Sequence, residues 1–274
     1  MVSSVTFLGV RGSFPCPDSD KIVYGGNTAC VEIRFDDTLF CIDAGTGVKT
    51  LGTKIRNEDI REFYMFISHL HWDHISGLPT FLAALNENVS LHIHAGLQPD
   101  QPNLKTHLSE LMRTPFFPVP VSFLRSAMTF NDFSSGENLS LLNGSIQVQT
   151  APLNHPNGAT GYAFIYKGQK VAYISDTEHF KDKDDENVLK LMENADLAIY
   201  DAAYTDEEYP KFTGWGHSTC EQAVKLAKKA NVKKLALFHH APEHTDEFLR
   251  KTEQKIQRDF PNAFYAKEGQ TVIL

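Results

Sequence analysis

The chain has 274 residues, 42% hydrophobic and 22% charged, an ordinary globular composition long enough to bury a sizeable core without cross-links. Its 26 basic and 34 acidic side chains leave a formal charge of -8 with no long basic run, which argues against a partner bound by neutralising many phosphates, such as long RNA or DNA. The four cysteines lack CxxC spacing, the N-terminus lacks a basic leader and no apolar stretch reaches membrane-spanning length, so a soluble cytoplasmic protein with reduced thiols and no membrane partner is expected.

Val5 to Leu8 reads as a strand that ends at Gly9-Val10-Arg11-Gly12-Ser13. After a loop rich in proline and aspartate, Ala29 to Phe35 and Thr38 to Ile42 form a hairpin around Asp36-Asp37. The second arm ends in Asp43-Ala44-Gly45-Thr46-Gly47. Asp43 reads equally well as the cap of a following short helix or as a carboxylate behind a metal-bound histidine.

Phe63 to Ile67 is the apolar run of a buried strand, and Ser68-His69-Leu70-His71-Trp72-Asp73-His74 follows it. Residues 75–85 are mostly apolar at helical spacing, which places the histidine cluster on a loop at a strand's C-terminal end, where α/β sheets bind ligands. Imidazole and carboxylate suit zinc, iron or manganese. One cation does not readily use His69, His71, Asp73 and His74 and still keep a position open for chemistry, whereas two cations can share them. The plain alternative, a chance histidine-rich surface loop, fits poorly with four such groups in six positions.

Ser90 to Ala95 alternates as a strand; His92 and His94 share one face, and a half-buried strand accounts for them better than a metal pair. Residues 96–126 carry Pro99, Pro102, Pro115, Pro118 and Pro120 with Phe116, Phe117 and Phe123 around a short helix, Asn103 to Met112. This insertion reads as a lid or an oligomer contact, which would suit a homodimer, or as an ordinarily packed connection. Ser145 to Thr150 resumes alternation, and His155 follows that strand. Tyr162 to Tyr166 and Lys170 to Ile174 form a hairpin around Gly168 that runs into Ser175-Asp176-Thr177. Lys181 to Asn194 reads as a solvated helix, and Leu197 to Asp201 as a strand ending in a carboxylate. Gly214-Trp215-Gly216-His217-Ser218-Thr219 opens an amphipathic helix, Cys220 to Ala230, with Ser218 or Thr219 as its N-cap. Leu235 to Phe238 is a buried strand entering His239-His240, and its end favours His239 as the site residue. A last helix, Thr245 to Arg258, precedes two short strands near Phe264-Tyr265 and Val272-Ile273. No repeat or low-complexity linker interrupts the chain, so residues 1–274 are expected to form a single domain.

Asp43, His69, His155, Asp176, Asp201 and His239 all follow expected strands, which points to one site assembled by topology. With His-x-His-x-Asp-His followed by a later His, Asp and His at strand ends, nearly the whole chain resembles the metallo-β-lactamase superfamily of binuclear metallohydrolases. The resemblance implies an α+β fold, a four-layer αββα sandwich with two divalent cations at one edge, zinc first and iron or manganese as alternatives. By that analogy His69, His71 and His155 hold the first metal, Asp73, His74 and His239 the second, and Asp176 bridges them. A hydroxide shared by two cations is nucleophilic at neutral pH and suits displacement at phosphorus. Gly216-His217-Ser218-Thr219 at a helix start resembles the phosphodiesterase branch, which includes ribonuclease Z and the cyclic-phosphate phosphodiesterase of phosphonate breakdown. That likeness implies that His217 stabilises the transition state or protonates the leaving oxygen, with Asp201 orienting it and Asp73 helping to take the water's proton.

The chain departs from these relatives in several ways. Only 21 positions (176 minus 155) separate His155 from Asp176, leaving no room for the Gly/Pro-rich basic arm by which ribonuclease Z binds tRNA. The cysteine-rich structural zinc site of the phosphonate enzyme is missing. Class B β-lactamases place a cysteine where Asp176 stands, and flavodiiron proteins a glutamate where His71 stands. The expected function is metal-dependent hydrolysis of a small phosphodiester, such as a cyclic nucleotide or nucleotide fragment. The rival readings are a di-iron oxygen-binding sensor and a lactone or thioester hydrolase.

Overall fold

The computed structural model describes residues 3–97 and 102–274; Pro99 of the proline-rich stretch lies outside the described residues. Short segments with alternating apolar residues pair into two sheets. The first takes β1 (Ser4–Gly9), β2 (Cys30–Phe35), β3 (Thr38–Ile42), β4 (Glu62–Ile67), β5 (Ser90–Leu97) and β6 (Ala127–Ser134). The second takes β7 (Leu139–Leu141), β8 (Ile146–Leu153), β9 (Ala159–Tyr166), β10 (Gln169–Ile174), β11 (Leu197–Asp201), β12 (Lys234–Phe238) and β13 (Ala263–Tyr265). Finally β14 (Thr271–Ile273) returns to the first sheet beside β1. Each sheet changes from antiparallel to parallel pairing partway across: β3 to β6 run parallel, and so do β10 to β13. The C-terminal ends of the parallel strands in both sheets therefore open on one edge.

The faces between the sheets are filled by side chains such as Phe7, Phe40, Phe66, Tyr162, Phe164 and Phe238. Helices α1 (Val48–Asn57), α2 (Trp72–Ile75) and α3 (Leu104–Leu111) belong to the first half of the chain, and Leu51, Ile55, Leu104 and Leu108 cover the outer face of the first sheet. Helices α4 (Glu186–Met192), α5 (Cys220–Lys229) and α6 (Asp246–Ile256) bury Leu191, Leu226 and Leu249 against the outer face of the second. The result is the expected four-layer αββα sandwich. All four cysteines are buried and unbridged.

Several local expectations need correction. Residues 75–85 form no continuous helix. The chain leaves α2 at Ile75 and makes 3-10 turns at Leu78–Thr80 and Leu82–Leu85, because Gly77 packs on the Gly45 carbonyl and Pro79 cannot donate to a helical ladder. The charged stretch from Lys181 is helical only over Glu186–Met192, where the Asp185 carboxylate caps the amides of Asn187 and Val188. Strand β6 has no fully buried side chain, and only Met128 and Phe130 alternate with polar residues before Asn131-Asp132 breaks the pattern, although it pairs along its whole length with β5. In the insertion, Leu104, Leu108 and Met112 are buried, while Phe116 and Phe123 face solvent.

Candidate active site

The common edge of the two sheets gathers the polar residues that follow the strands. Asp43, Asp176 and His239 each follow an apolar strand and adopt left-handed backbone angles, with φ of 61°, 62° and 61°. Such angles cost roughly 1–3 kcal/mol for a residue with a Cβ, and they cluster at sites whose surroundings enforce them. Ser13, at φ 66°, brings its amide to 2.8 Å from Asp73 Oδ2. Before it, Gly12 leaves room for the His239 ring: a Cβ there would lie 2.4 Å from the imidazole. The fully buried Arg11 guanidinium donates to the carbonyls of Gly25, Ala241 and His244, so the loop after β1 is tied to the loop that follows His239.

Two four-donor sets result. His69, His71, His155 and Asp176 form one, and Asp73, His74, Asp176 and His239 form the other; within each, the donor atoms lie within 4.8 Å of one another. Asp176 belongs to both. Its Oδ1 is 3.1 Å from His74 Nε2 and 3.2 Å from His239 Nε2, while Oδ2 is 3.6 Å from His69 Nε2 and from His155 Nε2. One carboxylate oxygen faces each set.

These residues fit divalent cations. His71 Nδ1 and His155 Nε2 face each other at 3.0 Å, and His74 Nε2 and His239 Nε2 at 3.3 Å. The far nitrogens of two of these rings are already engaged: His74 Nδ1 donates to Asp43 Oδ2 and His155 Nδ1 to the Gly216 carbonyl. When those rings are neutral, their inner nitrogens present lone pairs to a shared space. His69 Nε2 is buried there without a hydrogen-bond partner among the described residues. The buried carboxylates Asp43, Asp73, Asp176 and Asp201 find only histidines as ion-pair partners among the described residues. Electrostatics sorts the protons accordingly. Burial lowers the pKa of His69, His71 and His155, which keeps them neutral. Burial opposes ionisation of Asp73 and Asp176, but the surrounding histidines prevail and hold both below the carboxylate range. His74 goes the other way: Asp176, Asp73 and Asp43 outweigh its burial and raise it. Neutral His69, His71 and His155 beside anionic Asp73 and Asp176 are in the protonation states in which such groups bind metal, whereas His74 must give up its second proton to a cation that takes its place.

Asp43 is no helix cap. Helix α1 begins at Val48 behind Gly47, with no side-chain cap, and Asp43 instead accepts from Ser68 N, Ser68 Oγ, His74 Nδ1 and Tyr173 OH. His217 and Asp201 complete a third cluster with Asp176 and His239. His217 Nδ1 is 2.9 Å from Asp201 Oδ2, and the Asp201 carboxylate is held by the amides of Thr177 and Ala203. Burial would lower His217; the charge and hydrogen bond of Asp201, then Asp176 and Asp73, overcome it and push the pKa up to about 9. Thr219, not Ser218, caps α5.

His240 points away from this edge: its Nε2 donates to the Ala266 carbonyl and its ring meets Tyr24 and Tyr265 edge-on. His92 and His94 join no donor set among the described residues; His92 bonds Thr129 and Glu62, and His94 stacks on Phe66. Sequence reasoning missed Ser68, Tyr173 and Glu178. Glu178 accepts from the amides of Gly214 and Gly216 and from Tyr209 OH, shaping the loop whose Gly216 carbonyl receives His155.

Residues 39–240 match the beta-lactamase superfamily domain. The ribonuclease Z of Azobacteroides pseudotrichonymphae genomovar. CFP2 is 29% identical over 280 aligned residues, which cover 86% of this chain and 89% of that protein. The metallo-beta-lactamase fold protein YhfI from Bacillus subtilis superposes with a TM-score of 0.74 at 18% identity, covering 100% of both chains. A diphosphatase from the PhnP family superposes with a TM-score of 0.68 at 18% identity, covering 100% of this chain and 98% of that one. Among the described residues, no helix is long and apolar enough to cross a membrane. The domain match takes in β3 to β12 and every candidate ligand, and the chain belongs to the beta-lactamase superfamily, on the branch of metal-dependent hydrolases that carries ribonuclease Z.

Proposed function

We propose that this chain hydrolyses a small phosphodiester at a pair of divalent cations, one held by His69, His71 and His155 and the other by Asp73, His74 and His239, with Asp176 between them. The observation that carries this reading is the Asp176 carboxylate, with one oxygen turned to each donor set. Zinc suits the histidine-rich sets best, with iron or manganese as alternatives. Bound there, the cations would supply Lewis acidity and a water of lowered pKa.

The protein groups then divide the remaining work. His217 has Nδ1 committed to Asp201, whose charge and hydrogen bond favour the protonated ring, so Nε2 is the nitrogen that can protonate a leaving alkoxide. Asp201 fixes the ring and stabilises its charge. Asp73 takes one hydrogen bond from the Ser13 amide and stays anionic, which suits a ligand better than a proton acceptor. A ribonuclease Z relative and a diphosphatase neighbour support chemistry at phosphorus. A small substrate is favoured over RNA because the interval from His155 to Asp176 is used up by β9, a tight turn and β10.

The test joins metal analysis with turnover of bis(p-nitrophenyl) phosphate, a 2′,3′-cyclic nucleotide and an RNA transcript. Two metals per chain, hydrolysis of the small diesters and a loss of roughly a hundredfold in His217→Ala would support the proposal. Cleavage of RNA alone would make the substrate a polymer. Two irons with an oxygen-dependent absorption band and no turnover under any metal loading would favour the sensor.

A further inference from the structure

An aromatic groove lies beside the donor sets. Trp72, His107, Arg113, Phe116 and Phe117 line a cavity of about 560 Å3 between α2 and the insertion. A smaller cavity of about 220 Å3 reaches His69 and His71, and the two share Leu70 and His107. Trp72 exposes 77% and Phe116 73% of its surface, so two large rings stand open to solvent where one groove leaves the site. Trp72 immediately precedes Asp73, so the turn that presents the candidate ligands also places this ring. The Arg113 guanidinium lies over the Phe116 ring, 5.6 Å from its centroid. His107 lines both cavities, and its Nε2 is buried without a hydrogen-bond partner among the described residues. A buried nitrogen in that state is costly unless something meets it.

We propose that this groove is the subsite for the base of a nucleoside phosphodiester, an assignment that rests on the phosphodiesterase reading. The phosphate would lie in the smaller cavity at His69 and His71, the base against Trp72 and Phe116, and the sugar or base edge beside His107, whose ring would turn to offer it Nε2. A planar ring with a π-face suits aromatic side chains and a guanidinium. An alkyl chain would leave His107 unmatched. Glu110 on the groove's wall and the net charge of -8 disfavour further phosphates, so one nucleoside fits better than a strand.

Two diesters with the same leaving group test this: thymidine 5′-(p-nitrophenyl phosphate) and methyl p-nitrophenyl phosphate. The metal-loaded wild type should favour the nucleoside ester by about tenfold or more in kcat/KM, and Phe116→Ala and His107→Ala should bring that ratio towards one. A second readout needs no turnover. The chain has two tryptophans, so in Trp215→Phe all tryptophan fluorescence comes from Trp72. Thymidine 5′-monophosphate should quench it saturably and ribose 5-phosphate should not. A ratio untouched by both variants, or equal quenching by both ligands, overturns the groove while hydrolysis of both esters leaves the phosphodiesterase standing. Hydrolysis of neither ester with any divalent metal removes that reading and the groove with it. A dimer in sedimentation that Phe116→Ala dissociates would give the groove to a second copy of the chain and likewise overturn the assignment.

Discussion

His74 Nδ1 lies 2.7 Å from Asp43 Oδ2, and both side chains are fully buried. The same carboxylate accepts the Tyr173 hydroxyl at 2.7 Å, so one aspartate from the first sheet is bonded to a candidate ligand and to a strand of the second sheet. Removing it leaves a buried hydroxyl, a serine and an imidazole without their acceptor. Asp43→Ala should therefore weaken metal binding roughly tenfold to a hundredfold, since the partner behind a ligating histidine fixes its tautomer and direction. Metal retention against a graded chelator measures this, and wild-type affinity in the variant would refute the link. The variant should also melt at lower temperature, because unsatisfied buried groups cost about 1–3 kcal/mol each.

Gly12 makes a sharper test of the second donor set. A methyl group there would lie 2.4 Å from the His239 ring, and His239 has little freedom because its backbone is left-handed. Gly12→Ala should push the imidazole out of place with no effect on His69, His71 and His155. The expected result is a folded chain that retains about one metal where the wild type holds two. Equal stoichiometry in both proteins would show that His239 is not needed for the second ion.

The residues legible in the sequence are those whose chemistry is concentrated or placed by strand ends. His69, His71, Asp73 and His74 stand together, His155, Asp176 and His239 each follow a strand, and Asp201 ends one. Asp43 was ambiguous because a helix cap and a histidine partner want the same residue after the same kind of strand, and only its contacts separate them. Ser68, Tyr173 and Glu178 left no signal, since their roles are hydrogen bonds to partners distant in sequence, such as Tyr173 to Asp43. Strand β6 was hidden for a different reason: at the rim of its sheet it fully buries no side chain, and the alternation of Met128 and Phe130 breaks at Asn131-Asp132.

Glu178 should act as a positioning residue for His155. Its carboxylate gathers the amides of Gly214 and Gly216, both at positive φ, and a Cβ on Gly216 would lie 2.3 Å from the His155 ring. Burial raises the Glu178 pKa, but those amides and the Tyr209 hydroxyl prevail and lower it. Glu178→Ala should free the loop through Trp215, speed its cleavage by protease and lower metal affinity together. Glu178→Gln keeps an acceptor and should restore much of both. Loss of affinity with an unchanged cleavage rate would contradict the role assigned to the loop.

His94 gives a pH prediction away from the metal ligands. Its ring stacks on Phe66 with centroids 4.6 Å apart and is 92% covered, and burial followed by the nearby His92 lowers its pKa from 6.5 to about 4. A histidine depressed in the folded state binds its proton more readily when unfolded. Its neutral form therefore costs no stability above pH 6.5, while stability falls as the pH drops from 6.5 towards 4 and levels off below, by up to about 3 kcal/mol in all. His94→Phe keeps an aromatic ring against Phe66 and removes the titration. The difference in unfolding free energy between variant and wild type, followed by denaturant titration, should move in the variant's favour across that interval and stay constant above it. A difference that is flat from pH 7 to 4 would mean that His94 takes up its proton as readily in the fold as in the unfolded chain, and that the stack on Phe66 does not exclude the charge.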